Sequence, residues 1–571
     1  MCGIAGFYLN RKRENEYPEY LTKAECLLKN MLKIVDYRGP DQTGFFTDGI
    51  CGLGMNRLSI INVNEEDIPY FNEDKTLALV FNGEIYNYKD IRMSLKEDHN
   101  FKSDSDTEVV LHTYEELGVD CAKHFNGMYA FAVVDFKKKE MTIVRDKVGE
   151  KPLFYYYDGN DFYFGSEIKS ILCAVEAEFN DDCMSYNVFE VCIDEETLFK
   201  NIYSLLPGEF LNISAKGLKK GTYWSVWNNV RDIPDNEAWI RRELTDLLVD
   251  AVELRTKNTA HHYACLVSGG VDSAMVASIA KPEFLYTTTY DQYGDDYNEL
   301  HYAQLVSKKV GKELHVIRPR PEHFNKYKAK IVYHLDLPAT WTSFSMFCVL
   351  EELSKTSKVF ITGEGIDEIF GGYHRYHLLV HDQKIYELEA LTKYTYLIEK
   401  YYGSPADRYA RIINRATDIY NERNNKYLRE KVDSFFKKSN SVVHGMGMTD
   451  FYTSLQVILH MSDRVSMAYS IENRAPFVDH RLLEFGFGMP DKYKIRNGIT
   501  KHIIKEIARK FIPEQIVERK DKKGFLAPVN LWFGWGDAGR YDRSGYKIAV
   551  FEDWKDIFIN KKYGWPPVFK D

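Results

Sequence analysis

The chain has 571 residues, 44% hydrophobic and 28% charged, with a formal net charge of −9. One hydrophobic core stops growing near ~250–300 residues, so a chain of this length is expected to form two domains. No run of about 18 apolar residues could cross a bilayer, and the compact basic cluster Arg519-Lys520-Asp521-Lys522-Lys523 is short and interrupted, so neither a membrane nor nucleic acid is the expected partner.

The start, Met1-Cys2-Gly3-Ile4-Ala5-Gly6, lacks the basic region and apolar core of an export signal and reads as a strand entering a fold. Nine cysteines without Cys-x-x-Cys spacing form neither a disulfide framework nor a cysteine zinc site, which predicts a reducing, cytoplasmic setting. From Cys2 to about Leu211, short β-rich runs such as Leu77–Phe81 and Met128–Val134 alternate with Gly and Asn turns. Helical spacing over Ala24–Val35 and Asp106–Leu117 adds covering helices to these sheets. The turn-rich stretch Leu206–Gly221, polar on to Asp235, reads as a join, dividing the chain into units 2–215 and 235–571. Beyond it come a helix over Ala238–Leu254, a strand Tyr263–Val267, a glycine turn, a helix from Ser273 and a strand Phe284–Thr289, the opening of a parallel α/β sheet. Val359–Thr362 is a further strand ending in a glycine turn, and from Tyr386 the pattern is mainly helical.

Cys2 is the first chemical candidate. Removal of Met1 would leave a thiol and a free α-amine on one residue, nucleophile and base together. A lone cysteine near a chain start is more often incidental, but this one has company: Tyr37-Arg38-Gly39-Pro40-Asp41, Asn56–Ile60, Phe81–Asn87, Ser105–Glu108, Gly127–Phe131 and Arg145–Leu153. In these segments the chain resembles the glutaminase domain of class II, N-terminal-nucleophile glutamine amidotransferases, which implies an αββα sandwich. Thiolate attack on glutamine's side-chain amide makes an oxyanion, and the substrate brings an α-carboxylate and an α-ammonium. The resemblance assigns the oxyanion donors to Asn82 and the Gly83 N–H, the carboxylate fork to Arg57, the ammonium partner to Asp106, and further glutamine contacts to Leu58, Ile60 and Glu84.

Val267-Ser268-Gly269-Gly270-Val271-Asp272-Ser273 follows a strand and precedes a helix but lacks the Gly-Lys-Ser/Thr ending of a Walker loop. It resembles the pyrophosphate loop of enzymes that split ATP to AMP and pyrophosphate. Thr362-Gly363-Glu364-Gly365-Ile366-Asp367-Glu368, with Asp463–Met467, Glu472–Asp479, Lys501–Lys505 and Lys523-Gly524-Phe525, is similar to the asparagine synthetase family. The resemblance runs from Cys2 to about Trp532 and implies an α/β pyrophosphate-loop domain with a helical extension, ATP and Mg²⁺ as cofactors, and a homodimer. The reaction it implies activates a carboxylate as an acyl-adenylate. Val267, Ser268, Gly269, Gly270, Asp272, Ser273, Thr362, Gly363 and Glu364 would bind ATP, with Asp272 and Asp367 on Mg²⁺. Lys501 would neutralise the departing pyrophosphate, and Glu364 would accept the proton lost by attacking ammonia.

Tyr37, Thr362, Ile366 and Lys505 depart from the family's usual His, Ser, Ser and Arg. More consequential is the absence of any Arg or Lys from Asp336 to Leu350, where relatives carry a cation for the acceptor. Aspartate is the expected acceptor, with a uronic acid as the alternative, for which Trp341 and Phe344 would offer apolar faces. The pyrophosphate loop argues against a sugar-phosphate amidotransferase; Cys2, Asp272 and Glu364 argue against a catalytically dead binding protein, and Cys2 against a β-lactam-forming relative.

Overall fold

The computed structural model describes the chain except residues 1, 10–16, 62–66, 97–98, 341, 381–402, 417–420, 520–526, 535–543 and 570–571. Two six-stranded antiparallel sheets pack face to face in its N-terminal part. The first runs Ile202–Ser204, Phe154–Tyr157, Phe162–Gly165, Cys2–Tyr8, Cys51–Arg57, Gln42–Thr47; the second runs Gly217–Thr222, Glu209–Ser214, Glu140–Arg145, Gly127–Asp135, Leu77–Ile85, Tyr70–Phe71. The helix Tyr17–Lys33 covers the first sheet and Asp106–Leu117 the second, completing an αββα sandwich. Every residue of Cys2–Tyr8 and Leu77–Ile85 is buried, because these strands lie between a sheet and a helix; their sequences are accordingly continuous apolar runs rather than alternating ones.

The stretch read as a join is in part sheet. Glu209–Ser214 and Gly217–Thr222 form a hairpin on the edge of the second sheet. Its alternation is short, and the exposed edge carries Lys219 and Lys220, so Gly and Lys masked the strand signal.

The second part is built on a five-stranded parallel sheet in the order Leu314–Ile317, Phe284–Thr288, Tyr263–Leu266, Val359–Ile361, Glu472–Arg474. Strand order reverses between Tyr263–Leu266 and Val359–Ile361, and the crevice beyond the carboxyl ends at such a reversal is where open α/β sheets bind ligands. Both glycine turns leave these two strands. The helices Val442–Tyr452 and Ser454–Met467 then lead back to the fifth strand.

Small apolar cores knit the halves together: Leu58, Ile60, Tyr86 and Met128 pack with Val359 and Met467. The C-terminal tail also bridges them. Trp554 is fully buried against Phe179 and Phe199, and its indole N–H donates to Asp336 O at 2.9 Å.

Candidate active sites

Cys2 opens the central strand of the first sheet, directly opposite Arg57. Its backbone N–H donates to Asn82 Oδ1 at 2.9 Å, which fixes the amide of Asn82 and leaves Nδ2 buried without an acceptor among the described residues. Burial pushes the Cys2 thiol up, opposed by a hydrogen bond from the Leu58 backbone and by the Arg57 charge. Arg57 is buried and reaches Ile61 O at 3.4 Å. On the strand Leu77–Ile85, beside Asn82, a Cβ on Gly83 would fall 2.1 Å from Met128 O, so the neighbouring strand itself requires glycine there.

Asp106 is the first residue of its helix, with Ser105 as N-cap accepting from Thr107 N–H at 3.2 Å. Its Oδ2 accepts the Ile85 N–H at 2.9 Å, tying the helix start to the strand that carries Asn82 and Gly83. Burial raises the Asp106 carboxyl to about 6. Glu84 is buried too, held well above the usual carboxylate range by burial and by Asp106, while Arg474 Nη2 stands 3.4 Å from its Oε1. Leu58 and Ile60 turn their side chains into the core between the two halves. The Leu58 backbone hydrogen-bonds the Cys2 thiol, and Ile60 O accepts from Ala260 N–H at 3.1 Å.

At the second site Val267 is buried and continues its strand, its N–H donating to Tyr286 O at 2.9 Å. The loop then turns at Gly269, φ +70°, and Gly270 caps the helix Val271–Ala280. Ser268 and Ser273 are joined inside it, Oγ to Oγ 3.2 Å. The other glycine turn lies against this loop: a Cβ on Gly363 would meet the Asp272 carbonyl carbon at 2.7 Å. Lys501 Nζ lies between two carboxylates, 2.7 Å from both oxygens of Asp272 and 2.6 Å from Asp367 Oδ1. Gly372 belongs with them, since a Cβ there would sit 1.9 Å from Asp367 Oδ1 and from Lys501 Cε. Arg519, whose Nη1 donates to Gly269 O at 3.2 Å, is a further cation at the loop.

Glu364 leaves the end of Val359–Ile361. Its Oε1 accepts from Ser462 Oγ and its Oε2 from Asn473 Nδ2 at 3.2 Å, while Thr362 Oγ1 donates to Asn473 Oδ1, also at 3.2 Å. Burial raises the Glu364 carboxyl against these hydrogen bonds. The residues adjoining Ser462 and Asn473 reach the first site. Asp463 accepts from Arg38 at 3.0 and 3.2 Å, and Arg38 Nε donates to Cys2 O at 3.1 Å. Arg474 faces Glu84 as described. Arg38 also pairs with buried Glu167 at 2.7 Å, which takes the Tyr37 hydroxyl at 2.5 Å and the ammonium of Lys169. Buried ion pairs and hydrogen bonds therefore reach from the Cys2 site to the sequence neighbours of Ser462 and Asn473, the two residues that hold Glu364. Arg38, Asp463, Asn473 and Arg474 stand within the sequence motifs, but the motifs alone do not assign them these places.

Phe344 is buried and packs against Phe324 and Trp532, ring centroids 5.3 and 5.8 Å away, so it presents no face to a substrate. The helix Ser343–Leu353 has apolar residues on every side and is therefore core. Ile366 is likewise wholly buried, so the position where the family usually carries a serine is filled here by core packing. Trp341 and Lys523-Gly524-Phe525 lie outside the described residues.

An αββα sandwich with an N-terminal cysteine, joined to a parallel sheet with paired glycine turns, defines a class: a class II glutamine amidotransferase coupled to a synthetase unit. A glutamine amidotransferase domain model matches residues 1–224, and an asparagine synthase model matches residues 243–544. The chain belongs to the asparagine synthase family and is a glutamine-hydrolysing ligase. It is 29% identical over 600 aligned residues to asparagine synthetase [glutamine-hydrolyzing] 1 of Bacillus subtilis, covering 99% of this chain and 92% of that one. Asparagine synthetase 3 of the same organism is 28% identical over 91% of this chain and 86% of its own length. A putative asparagine synthetase 2 of Methanocaldococcus jannaschii is 32% identical over 65% of this chain and 76% of its own. Among the described residues no helix is long and apolar enough to cross a membrane.

Proposed function

We propose that the chain converts aspartate to asparagine in the cytoplasm as a homodimer, splitting ATP to AMP and pyrophosphate and taking nitrogen from glutamine. The observation that carries this reading is Glu364, held by Ser462 and Asn473, whose sequence neighbours Asp463 and Arg474 reach the Cys2 site. Support for aspartate comes from the relatives' names, and support for coupled sites from the buried network between them. We place the division between the two units after Thr222, where the second sheet ends, and before the helix beginning at Glu237.

In the glutaminase unit, loss of Met1 would convert the Cys2 amide nitrogen into an amine at the point where it now meets Asn82 Oδ1. That amine takes the thiol proton, and the thiolate attacks the glutamine amide. Asn82 Nδ2, buried without an acceptor, and the Gly83 N–H receive the oxyanion. Arg57 takes the substrate carboxylate and Asp106 its ammonium.

In the synthetase unit, Ser268 to Ser273 and Thr362 to Glu364 cradle ATP. Asp272 and Asp367 converge on one cation position that Lys501 now fills, and two carboxylates with phosphate oxygens form a donor set suited to Mg²⁺. Bound there, Mg²⁺ would neutralise phosphate charge as the adenylate forms. Lys501 is then free to follow the departing pyrophosphate, and Glu364 receives the proton that ammonia loses on attacking the acyl carbon. Its raised, hydrogen-bonded carboxyl suits that role.

The acceptor is tested by measuring AMP formed with glutamine over a panel of carboxylates. Aspartate is expected to give the highest kcat/KM; turnover of nucleotide-linked uronic acids with no turnover of aspartate would overturn it.

Asp106 adds a pH prediction. With its carboxyl at about 6, glutamine's ammonium loses its partner as pH falls below that value, so kcat/KM for glutamate release should drop about tenfold per unit on the acid side. Stability responds with the opposite sign: because the folded value lies above the ordinary 3.8, the contribution of Asp106 to the stability of the ligand-free fold is lost as pH rises from about 4 to about 6. Asp106→Asn should abolish glutamine hydrolysis yet remove that loss. A pH–rate profile flat from 5 to 7, beside chemical denaturation at matched pH, would take Asp106 out of the role.

A further inference from the structure

One polar cluster of the glutaminase unit has no part in the chemistry above. His112 and Glu115 lie on the helix Asp106–Leu117, His99 on the segment that leads into it, and Glu73 in the turn after the strand Tyr70–Phe71. One donor atom from each converges, all four within 4.8 Å of one another. His112 Nδ1 is 3.4 Å from Glu115 Oε2 and 3.9 Å from Glu73 Oε2, and His99 Nδ1 is 3.7 Å from Glu115 Oε2. Nitrogen and oxygen ligands placed tetrahedrally about zinc stand about 3.4 Å apart. Small rotations of the two carboxylates, about a third exposed, would close the set on a metal entering from solvent.

A second shell is already in place. The other nitrogen of His99, Nε2, lies 3.0 Å from Glu116 Oε1, and that of His112 lies 3.9 Å from Glu108 Oε1. Glu108 is itself fixed by the N–H groups of Lys102 and Ser103, and Glu116 by the N–H of Lys96. Glu115 Oε1 accepts from Asn72 Nδ2 at 2.9 Å, which leaves Oε2 to face the imidazoles. Metal-binding histidines carry this arrangement, one ring nitrogen toward the ion and the other toward a carboxylate that sets tautomer and ring angle. His112 is 2% exposed and His99 10%, so both rings are held. Their ring centroids are 4.5 Å apart.

We propose that His99, His112, Glu73 and Glu115 bind a zinc ion. Paired imidazoles select zinc over the Mg²⁺ or Ca²⁺ that carboxylates alone would take. The site is structural, all four positions coming from the protein. It ties the turn at Glu73 and the segment at His99 to the helix whose first residue is Asp106.

The test uses the full-length protein, stripped with chelator, kept reduced and held in excess Mg²⁺, then titrated with Zn²⁺ against a chromophoric competitor. Wild type should bind one zinc more than the His99→Gln/Glu115→Gln variant, whose changes lie toward the rim, and zinc should raise the unfolding temperature of wild type alone. Glu116→Gln should retain the site with affinity weakened about 10- to 100-fold. Cobalt in place of zinc should give tetrahedral d–d bands without a thiolate charge-transfer band. Equal zinc content in wild type and the double variant, a thiolate band reporting the cysteines, or less than a tenth of an equivalent bound would each overturn the proposal. None of these readouts depends on glutamine hydrolysis, so the site stands or falls apart from the enzymatic reading.

Discussion

Cys2→Ala is expected to abolish glutamine-dependent amidation, by roughly a thousandfold or more, while activity with ammonium salts persists near the wild-type level. The substitution removes the hydrogen bond from the Leu58 backbone to the thiol, but the other contacts of Cys2 are made by its backbone. The Cys2 N–H still meets Asn82, the Cys2 carbonyl still accepts from Arg38, and the pairing with Arg57 is a strand register that alanine maintains. Only the sulfur is lost, at a buried position where a methyl group is tolerated. Ammonia supplied from solution bypasses the glutaminase pocket, so the Glu364 crevice should work unaltered. Glutamate release and AMP release, measured separately with each nitrogen donor, check this. Equal loss with both donors would mean that Cys2 supports the synthetase unit through the buried network, and the separation of the two sites would fail.

That network marks the limit of what could be read from the chain alone. Cys2, Asn82, Asp106, Ser268–Ser273 and Glu364 are proposed from short motifs that resemble the family's, each a strand or turn with a few residue types within a short span. The parallel sheet was legible from an equally short span, since a glycine turn between a short apolar strand and a helix has few other readings. Arg38 paired with Asp463, and Glu84 facing Arg474, join residues separated by hundreds of positions, and no periodicity records such a partner. The charges themselves were the available signal. Arg38, Asp463 and Arg474 are almost wholly buried, and a buried charge is tolerated only with a partner in reach. Phe344 shows the converse: an aromatic side chain near an expected pocket belongs as readily to the core, and only packing, which here buries it, separates the two.

Asp272→Asn and Asp367→Asn should each slow pyrophosphate formation by about 10²- to 10³-fold while glutamine hydrolysis continues. Both carboxylates hold the Lys501 ammonium at 2.6–2.7 Å, so either change removes half of a cation clamp. Lys501→Ala separates the metal role from the structural one. It leaves two largely buried carboxylates without the ammonium between them, and removing one partner of a buried ion pair typically costs about 3–5 kcal/mol. The variant should therefore unfold at lower temperature than wild type in chelator, and Mg²⁺ should restore much of the difference by taking the vacated position. Wild type, with its ammonium in place, should respond to Mg²⁺ far less. Adenylation should remain impaired in Lys501→Ala even at saturating Mg²⁺, because the metal replaces the charge at rest but not the ammonium that follows pyrophosphate. Thermal unfolding with and without Mg²⁺, beside pyrophosphate release, decides it: an equal Mg²⁺ response in both proteins, or wild-type pyrophosphate release by both aspartate variants, would remove Asp272 and Asp367 from the metal site.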